Sequence, residues 1–149
     1  MSDAEGSPIG YGVGPGFLRR ILDTAERAAR DAGELQLERF RRGGRVEAFR
    51  RHDLKLTVDR LSEETIASVI SRTFPGHAIL GEEAGRRSGR AGWLWIVDPL
   101  DGSVNFHHGI PQFCVSLACH RLPHPAVRGE SGTDRRAGRS VACAFRDAL

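Results

Sequence analysis

At residues 95–103 the chain reads Trp95-Ile96-Val97-Asp98-Pro99-Leu100-Asp101-Gly102-Ser103. This stretch predicts both a central strand of the fold and a candidate site. Residues 94–97 are apolar, which predicts a buried strand that ends abruptly at the Asp-Pro pair. The two carboxylates stand three residues apart across a turn, so they can converge on one point, and the proline rigidifies that turn. Gly102 removes a side chain where a phosphate would approach the backbone. Ser103 can cap a following helix whose amides attract anions.

Acids beside an anion site require a cation between them, because like charges repel one another. Hard divalent cations prefer carboxylate and carbonyl oxygens, and magnesium typically also binds the phosphate of its substrate. The stretch therefore predicts a magnesium and phosphate site at the end of a strand. The alternative is a plain Asp-rich turn that caps a helix. The six residues from Asp98 to Ser103, placed after a Trp-containing strand, favour the site.

Outward from this stretch, the hydrophobic pattern predicts the order helix, strand, helix, strand, strand, strand, with acids at strand ends. Apolar residues at three- and four-residue steps from Phe17 predict a helix that ends at Gly43-Gly44. The alternation of Leu54, Leu56 and Val58 with polar residues predicts a short strand. The other predicted elements are a hairpin or exposed loop at 45–52, a helix from Asp59 or Ser62 to Phe74 with Glu63 and Glu64 in its first turn, a strand at 78–80, a polar loop at 85–92, and a strand alternating at Phe113, Val115, Leu117 and Cys119.

These elements predict an α/β fold, or α+β if the sheet is mainly antiparallel. Two helices should pack on a sheet whose edges carry the acidic loops. We expect a flexible tail at residues 1–16, a domain at 17–120 and an Arg-rich ending at 121–149. Within that ending, only Val141 to Phe145 has the pattern of a strand.

Charge and composition argue against several classes of function. The formal net charge of the 149 residues is +3, and the arginines are scattered among acids. A nucleic-acid binder usually concentrates such charge on one face, so we expect solvated surface arginines. An Arg-rich nucleic-acid-binding module is a weaker alternative because it leaves the acidic residues unexplained. The sequence has neither an apolar run that could span a bilayer nor a signal peptide, so we expect a cytoplasmic protein without a membrane partner.

The three cysteines, Cys114, Cys119 and Cys143, form no CxxC pair, which fits reduced thiols rather than a disulfide framework. A zinc site built from cysteines with His120 and His124 would need the intervening loop of a zinc finger, which the spacing lacks. Cys114 and Cys119 also fall on opposite faces of the predicted strand. We therefore expect no zinc site.

Three motifs resemble the inositol monophosphatase family. The string at 95–106 is similar to the family's first signature, and the residues at 109–111 and 115–118 continue the similarity. Upstream, Gly81-Glu82-Glu83 resembles the family's Gly-Glu-Glu, and 53–59 resembles its Asp-Leu-Val-Thr-x-x-Asp element. Because the motifs keep their order and spacing, the chain resembles the amino-terminal half of this family. The implied fold is a layered helix–sheet sandwich, truncated to its first half.

The resemblance implies magnesium-dependent hydrolysis of a small phosphate monoester. An inositol monophosphate is the preferred substrate, and fructose 1,6-bisphosphate, histidinol phosphate and adenosine 3′,5′-bisphosphate are alternatives. The implied metal ligands are Glu82, Asp98, Asp101 and the Leu100 carbonyl. The implied partners are a small phosphorylated metabolite and, for full-length relatives, a second copy in a homodimer.

The resemblance also assigns substrate contacts and a water-activating pair. The Gly102 and Ser103 amides would hold the phosphate, while Asp59 and Ser103 would orient and deprotonate the attacking water. The full set implied to contact the substrate is Glu82, Leu100, Asp101, Gly102 and Ser103.

Simpler readings stay open for several of these residues. Asp59 can be the N-cap of the second helix, and the two readings are compatible. Glu82 can be a solvated loop acid, and Glu83 is expected in an outer shell or at the surface. His107 and His108 adjoin the motif, but we assign them no catalytic role.

The sequence departs from the family at three places. Ser103 stands where the family mostly carries Thr, and since Ser keeps the hydroxyl, we expect the role to survive. Arg50 and Arg51 stand where a Lys is common, which leaves the lid role of that Lys in doubt. The Trp-Asp pair of the family's second half is absent, and residues from Arg121 onward do not resemble the family. The alternative is therefore a truncated, inactive remnant that at most binds a divalent metal and exposes apolar residues of 113–117.

Overall fold

Two long helices open the described part of the chain. The computed structural model describes residues 14–43, 48–90, 92–122 and 140–145, with the backbone alone at 43, 48–56 and 140–145. Helix α1 spans Pro15–Gly43 and α2 spans Ala48–Thr73. No helix within these ranges carries an apolar stretch long enough to cross a membrane.

Helix α2 begins further upstream than the sequence pattern predicts. The predicted strand at 54–58 is wrong, because these residues lie within α2, as do residues 48–52 of the predicted loop. Asp59 is consequently inside the helix, so its predicted role as an N-cap is also wrong. Val58, the last residue of the predicted strand, instead continues a buried stripe of α2 at four-residue steps. The stripe consists of Val58, Ser62, Ile66 and Ile70.

The rest of the described chain forms one mixed sheet and a short helix. Its strand order is β2-β1-β3-β4-β5, with β1 and β3 parallel and the other three pairings antiparallel. The predicted fold class is thus confirmed in its α+β form, because the sheet is mainly antiparallel. The elements are β1 at Ala78–Gly81, β2 at Arg86–Arg87, β3 at Trp93–Asp101, α3 at Ser103–His107, β4 at Cys114–Arg121 and β5 at Ser140–Phe145.

Several element boundaries differ from the predicted ones. The predicted tail and ending lie mostly outside the described residues, although Pro15 and Gly16 already belong to α1. The strand predicted at Val141 to Phe145 is confirmed as β5, which pairs antiparallel with β4. The predicted polar loop at 85–92 contains the two residues of β2.

Strand β3 continues through the acidic motif instead of ending at Asp98. Asp98 pairs with Ser116 and Asp101 pairs with Cys114, and the register shifts between the two pairs. Such an irregularity re-aims side chains where regular pairing ends. The motif therefore lies on a bulged strand end rather than in a free turn.

The helices cover one face of the sheet and bury its core. Trp95, Val97 and Val115 belong to the same buried cluster as Ile21 and Ile66. The opposite face carries exposed apolar side chains on β1 and β3, Leu80 and Ile96. The prediction that residues 113–117 expose an apolar face is wrong, because Val115 and Leu117 face the helices.

Ion pairs lie on the solvent faces of α1 and α2. Arginines pair with acids one turn away, at N–O distances of 2.7–2.9 Å. These exposed pairs contribute little to stability, but they place arginine charge beside acidic charge. The pairs are Arg19–Asp23, Glu38–Arg42 and Arg60–Glu64.

Candidate functional site

Asp98 occupies the strand end where the acidic motif begins. Its side chain is half-buried, and its Oδ1 atom is buried without a hydrogen-bond partner in the described structure. The carboxylate accepts a hydrogen bond from the Leu100 backbone N–H. A buried carboxylate oxygen without a donor is costly, so this atom is suited to a further electropositive partner.

Three carboxylates share one electrostatic environment at this strand end. Burial raises the pKa of Asp98 above its ordinary value, and the negative charges of Glu82 and Asp101 raise the pKa further. The Leu100 N–H acts in the opposite direction. Asp98 thus interacts through its charge with Asp101 and with Glu82, which directly follows β1.

The three carboxylates interact through their charges, but their side chains do not form a closed set of metal ligands. Among the described residues, no three His, Cys, Asp or Glu side chains form a compact metal-binding group. Glu82 and Asp101 are both exposed. The three carboxylates are thus close enough for their charges to repel, but their oxygens do not converge on one point. An orphaned oxygen with two neighbouring carboxylates fits a hard divalent cation.

The Glu82 loop is tied to helix α2 by an acid that sequence reasoning missed. Glu63 was expected in the first turn of a helix, but it lies within α2 and is 2% exposed. Its carboxylate accepts the backbone N–H groups of Glu83 and Ala84 at 2.8 and 2.9 Å. Extending the helical period upstream would have placed Glu63 on the buried face with Ile66 and Ile70.

The Asp98–Asp101 segment is tied to the helices by Gln36. This side chain, on α1, is 1% exposed. Its Nε2 donates to the Pro99 carbonyl at 2.5 Å and to Ser62 Oγ at 3.2 Å. One buried amide thus joins both helices to the bulged part of β3 between the two motif acids. No local pattern marks Gln36, because its partners are distant in sequence.

Gly102 makes the sharp turn between β3 and α3. Its φ is 88°, in the left-handed region that glycine tolerates. A Cβ at this position would lie 2.7 Å from the Gln112 carbonyl oxygen, so space also requires glycine. The N-cap of α3 is Gly102, and among the described residues no side chain caps the helix. The prediction that Ser103 caps this helix is therefore wrong, since Ser103 is the first helical residue.

Asp59 lies in the part of α2 that packs against the motif. Its side chain is buried, and its neighbour Val58 belongs to one cluster with Leu100 and Phe106. This cluster brings the Asp59 turn of α2 alongside the segment that carries Gly102. Phe40 and Phe113 pack against the same cluster.

A separate cavity of about 380 Å³ opens between α2 and the loop after β1. The candidate ligands Glu82, Asp98 and Asp101 are not among its described lining residues, whereas Glu83 is. The strand-end acids, not this cavity, carry the candidate chemistry. The lining comprises Thr57, Arg60, Glu63, Glu64, Glu83, Ala84 and Arg87.

Comparison with known proteins identifies relatives over most of the chain. A model of the inositol monophosphatase family matches residues 18–124. "Nus factor SuhB" of Pseudomonas aeruginosa is 42% identical over 118 residues, covering 74% of this chain and 44% of the relative. "Inositol monophosphatase 3" of Solanum lycopersicum is 39% identical over 116 residues, covering 75% and 43%. The chain therefore spans less than half the length of these relatives.

Solved structures agree with the sequence matches. The extragenic suppressor protein suhB from Bartonella henselae aligns with a TM-score of 0.59 and 32% identity. The alignment covers 68% of this chain and 39% of that one. The two-helix layer and its sheet are thus similar to part of a larger known fold.

Proposed function

This chain belongs to the inositol monophosphatase family, and from that premise we propose that it carries the metal-binding part of a magnesium-dependent phosphatase for small phosphate monoesters. One observation carries the proposal. The buried Oδ1 of Asp98 has no hydrogen-bond partner in the described structure, while Glu82 and Asp101 add negative charge beside it. A divalent cation would satisfy that oxygen and relieve the repulsion.

The proposed ligands are the side chains of Glu82, Asp98 and Asp101 together with the Leu100 carbonyl. They come from the loop that follows β1 and from the bulged end of β3. Hard oxygen ligands of this kind suit magnesium. When bound, the ion supplies positive charge to the phosphate oxygens and acidifies a water molecule.

Asp59 and Ser103 are the proposed water-activating pair. The Asp59 carboxylate would accept the proton of the attacking water, and the Ser103 hydroxyl would orient that water. The packing of Val58 on Leu100 and Phe106 supports this pairing, because it brings α2 against the motif. The phosphate would be held by the Gly102 and Ser103 amides, where the left-handed glycine turns the chain into α3.

An inositol monophosphate is the proposed substrate, and the Solanum lycopersicum relative, "Inositol monophosphatase 3", supports this choice. Fructose 1,6-bisphosphate, histidinol phosphate and adenosine 3′,5′-bisphosphate form the panel against which this preference is tested. A cytoplasmic location, a homodimer in longer relatives and the absence of a nucleic-acid partner stay predictions.

The metal site is tested by calorimetry on the purified chain. Millimolar magnesium should raise the unfolding temperature, since a ligand that binds only the folded state stabilises it. Asp98→Asn should abolish that rise, because it removes the charge that would face the ion. Asp23→Asn is the matched control, since Asp23 is an exposed acid on α1. No rise in the wild type would contradict the proposed metal site.

Turnover is tested by phosphate release from inositol monophosphate with magnesium. A second candidate function is metal binding without turnover, as in an inactive remnant. It is favoured by the absence of a compact ligand group among the described residues and by the exposed Leu80 and Ile96. Release that disappears in Asp98→Asn supports the phosphatase. Metal-dependent stabilisation without release supports the second candidate for the chain by itself.

A further inference from the structure

We propose that Glu63 is a positioning residue that fixes the loop carrying Glu82 relative to helix α2. The inference rests on the proposed function, in which Glu82 is a metal ligand. Glu63 itself is not a proposed ligand of the divalent cation. Its carboxylate binds the backbone that follows Glu82, and so fixes the position of the Glu82 Cα atom.

Both oxygens of the Glu63 carboxylate are engaged in this anchoring. Oε2 accepts the Glu83 N–H at 2.8 Å, and Oε1 accepts the Ala84 N–H at 2.9 Å. Hydrogen bonds to an ionised acceptor are about twice as strong as neutral ones. Two successive amides on one carboxylate leave the loop little freedom to rotate. The pair of bonds also compensates for burying the acid, which is 2% exposed.

Gly81 leaves the space that the Glu63 carboxylate occupies. A Cβ on Gly81 would meet Oε1, Cδ and Oε2 of Glu63, which are its three nearest heavy atoms. Gly81 is absent from the glycines with positive φ. Glycine therefore leaves room here for the Glu63 carboxylate, and its role does not depend on an unusual backbone conformation. The buried acid and the glycine are matched parts of one contact.

The anchor also links Glu82 to the proposed water-activating acid. Asp59 and Glu63 are four residues apart on α2, which places them on one helical face. Both are buried. Helix α2 thereby holds Asp59 and the Glu82 loop in one rigid relation. Substitution at Glu63 should change the metal site without removing a ligand.

The test compares Glu63→Gln with Glu64→Gln in the intact chain. A glutamine can accept one of the two N–H groups through its oxygen, but its NH₂ would face the other. Glu64 is the adjacent acid, exposed and ion-paired with Arg60, so it controls for loss of one charge from α2. Circular dichroism first establishes that each variant is folded at the temperature used.

Hydrogen exchange in the metal-free protein is the first readout. We expect the Glu83 and Ala84 amides to exchange about tenfold faster or more in Glu63→Gln, which corresponds to loss of a hydrogen bond to a charged group. Amides of the β3–β4 pairing should be unaffected. Gly81→Ala, whose Cβ would displace the same carboxylate, should give the same local change.

Manganese binding, measured by calorimetry, is the second readout. Groups that orient metal ligands typically contribute 10–100-fold to affinity, so we expect Glu63→Gln to weaken binding by about tenfold or more. Glu64→Gln should bind like the wild type. Failure of the wild type to bind manganese would refute the proposed function and leave exchange to decide the anchoring. Unchanged exchange at both amides, or equal affinities of the two variants, would overturn the inference.

Discussion

Acidification should destabilise this protein through one buried histidine. His77, between α2 and β1, is 9% exposed, and its Nδ1 accepts the indole N–H of Trp95 at 3.0 Å. Its ring stacks on Phe74 at 4.5 Å between centroids. Protonation of Nδ1 would place a donor against the Trp95 donor inside an aromatic cluster. Burial accordingly lowers the pKa of His77 from 6.5 to about 4.

The sign and size of the effect follow from that pKa. Between pH 6.5 and 4 the unfolded chain binds more protons than the native chain, so stability falls as pH falls through this window. Each pKa unit corresponds to about 1.4 kcal/mol. The full loss is therefore about 3 kcal/mol below pH 4, and about 2 kcal/mol is already lost at pH 5. Domains have only about 5–15 kcal/mol of stability in total.

Urea unfolding followed by tryptophan fluorescence measures this loss between pH 7.5 and 5. His77→Gln is the matched control, because its side-chain carbonyl can accept the Trp95 N–H but cannot titrate. Carboxylates contribute equally to both proteins, so the difference isolates the histidine. We expect the wild type to lose about 2 kcal/mol more than the variant over this range. Parallel pH profiles would refute the reasoning.

Three further substitutions have defined outcomes. Gly102→Ala should lower the free energy of unfolding by about 1–2 kcal/mol because of the left-handed φ alone. The contact of the new Cβ with the Gln112 carbonyl should lower it further, and a thermal melt equal to that of the wild type would contradict this. Gln36→Leu should cost about 1–3 kcal/mol in urea unfolding, because it leaves the buried Pro99 carbonyl without its donor; an unchanged midpoint would show that this bond is not needed. Ser103→Ala should leave manganese affinity within about twofold of wild type, since its proposed role is to orient water, and a large loss in calorimetry would make Ser103 part of the metal site instead.

Local sequence pattern predicted most of the sheet. The apolar run before Asp98 and the alternation from Phe113 to Cys119 correspond to β3 and β4, because each strand packs one side on the helices. The opposite faces predicted for Cys114 and Cys119 agree with their burial, half-buried and buried respectively. Burial raises the pKa of the Cys119 thiol to about 12, which keeps it protonated.

The same kind of reasoning failed at the start of α2. Alternation at 54–58 is too short to distinguish a strand from a helix. The arrangement is decided by contacts of Val58 with Leu100 and Phe106, which are distant in the chain. Tertiary packing of this kind routinely overrides a local preference. The reassignment also moved Asp59 from a helix cap to a buried helical position.

The sequence by itself determined which acids are candidates for the site and in what order they occur. Asp98 and Asp101 stand out because two acids at a strand end, next to Gly102, form a local pattern. Glu82 was added by the resemblance to the inositol monophosphatase family. Only the tertiary structure decided what holds those acids in place. Glu63 reaches amides 20 and 21 residues away, and Gln36 reaches a carbonyl 63 residues away. Such bonds follow from how the helices pack on the sheet, and no spacing within one segment encodes them.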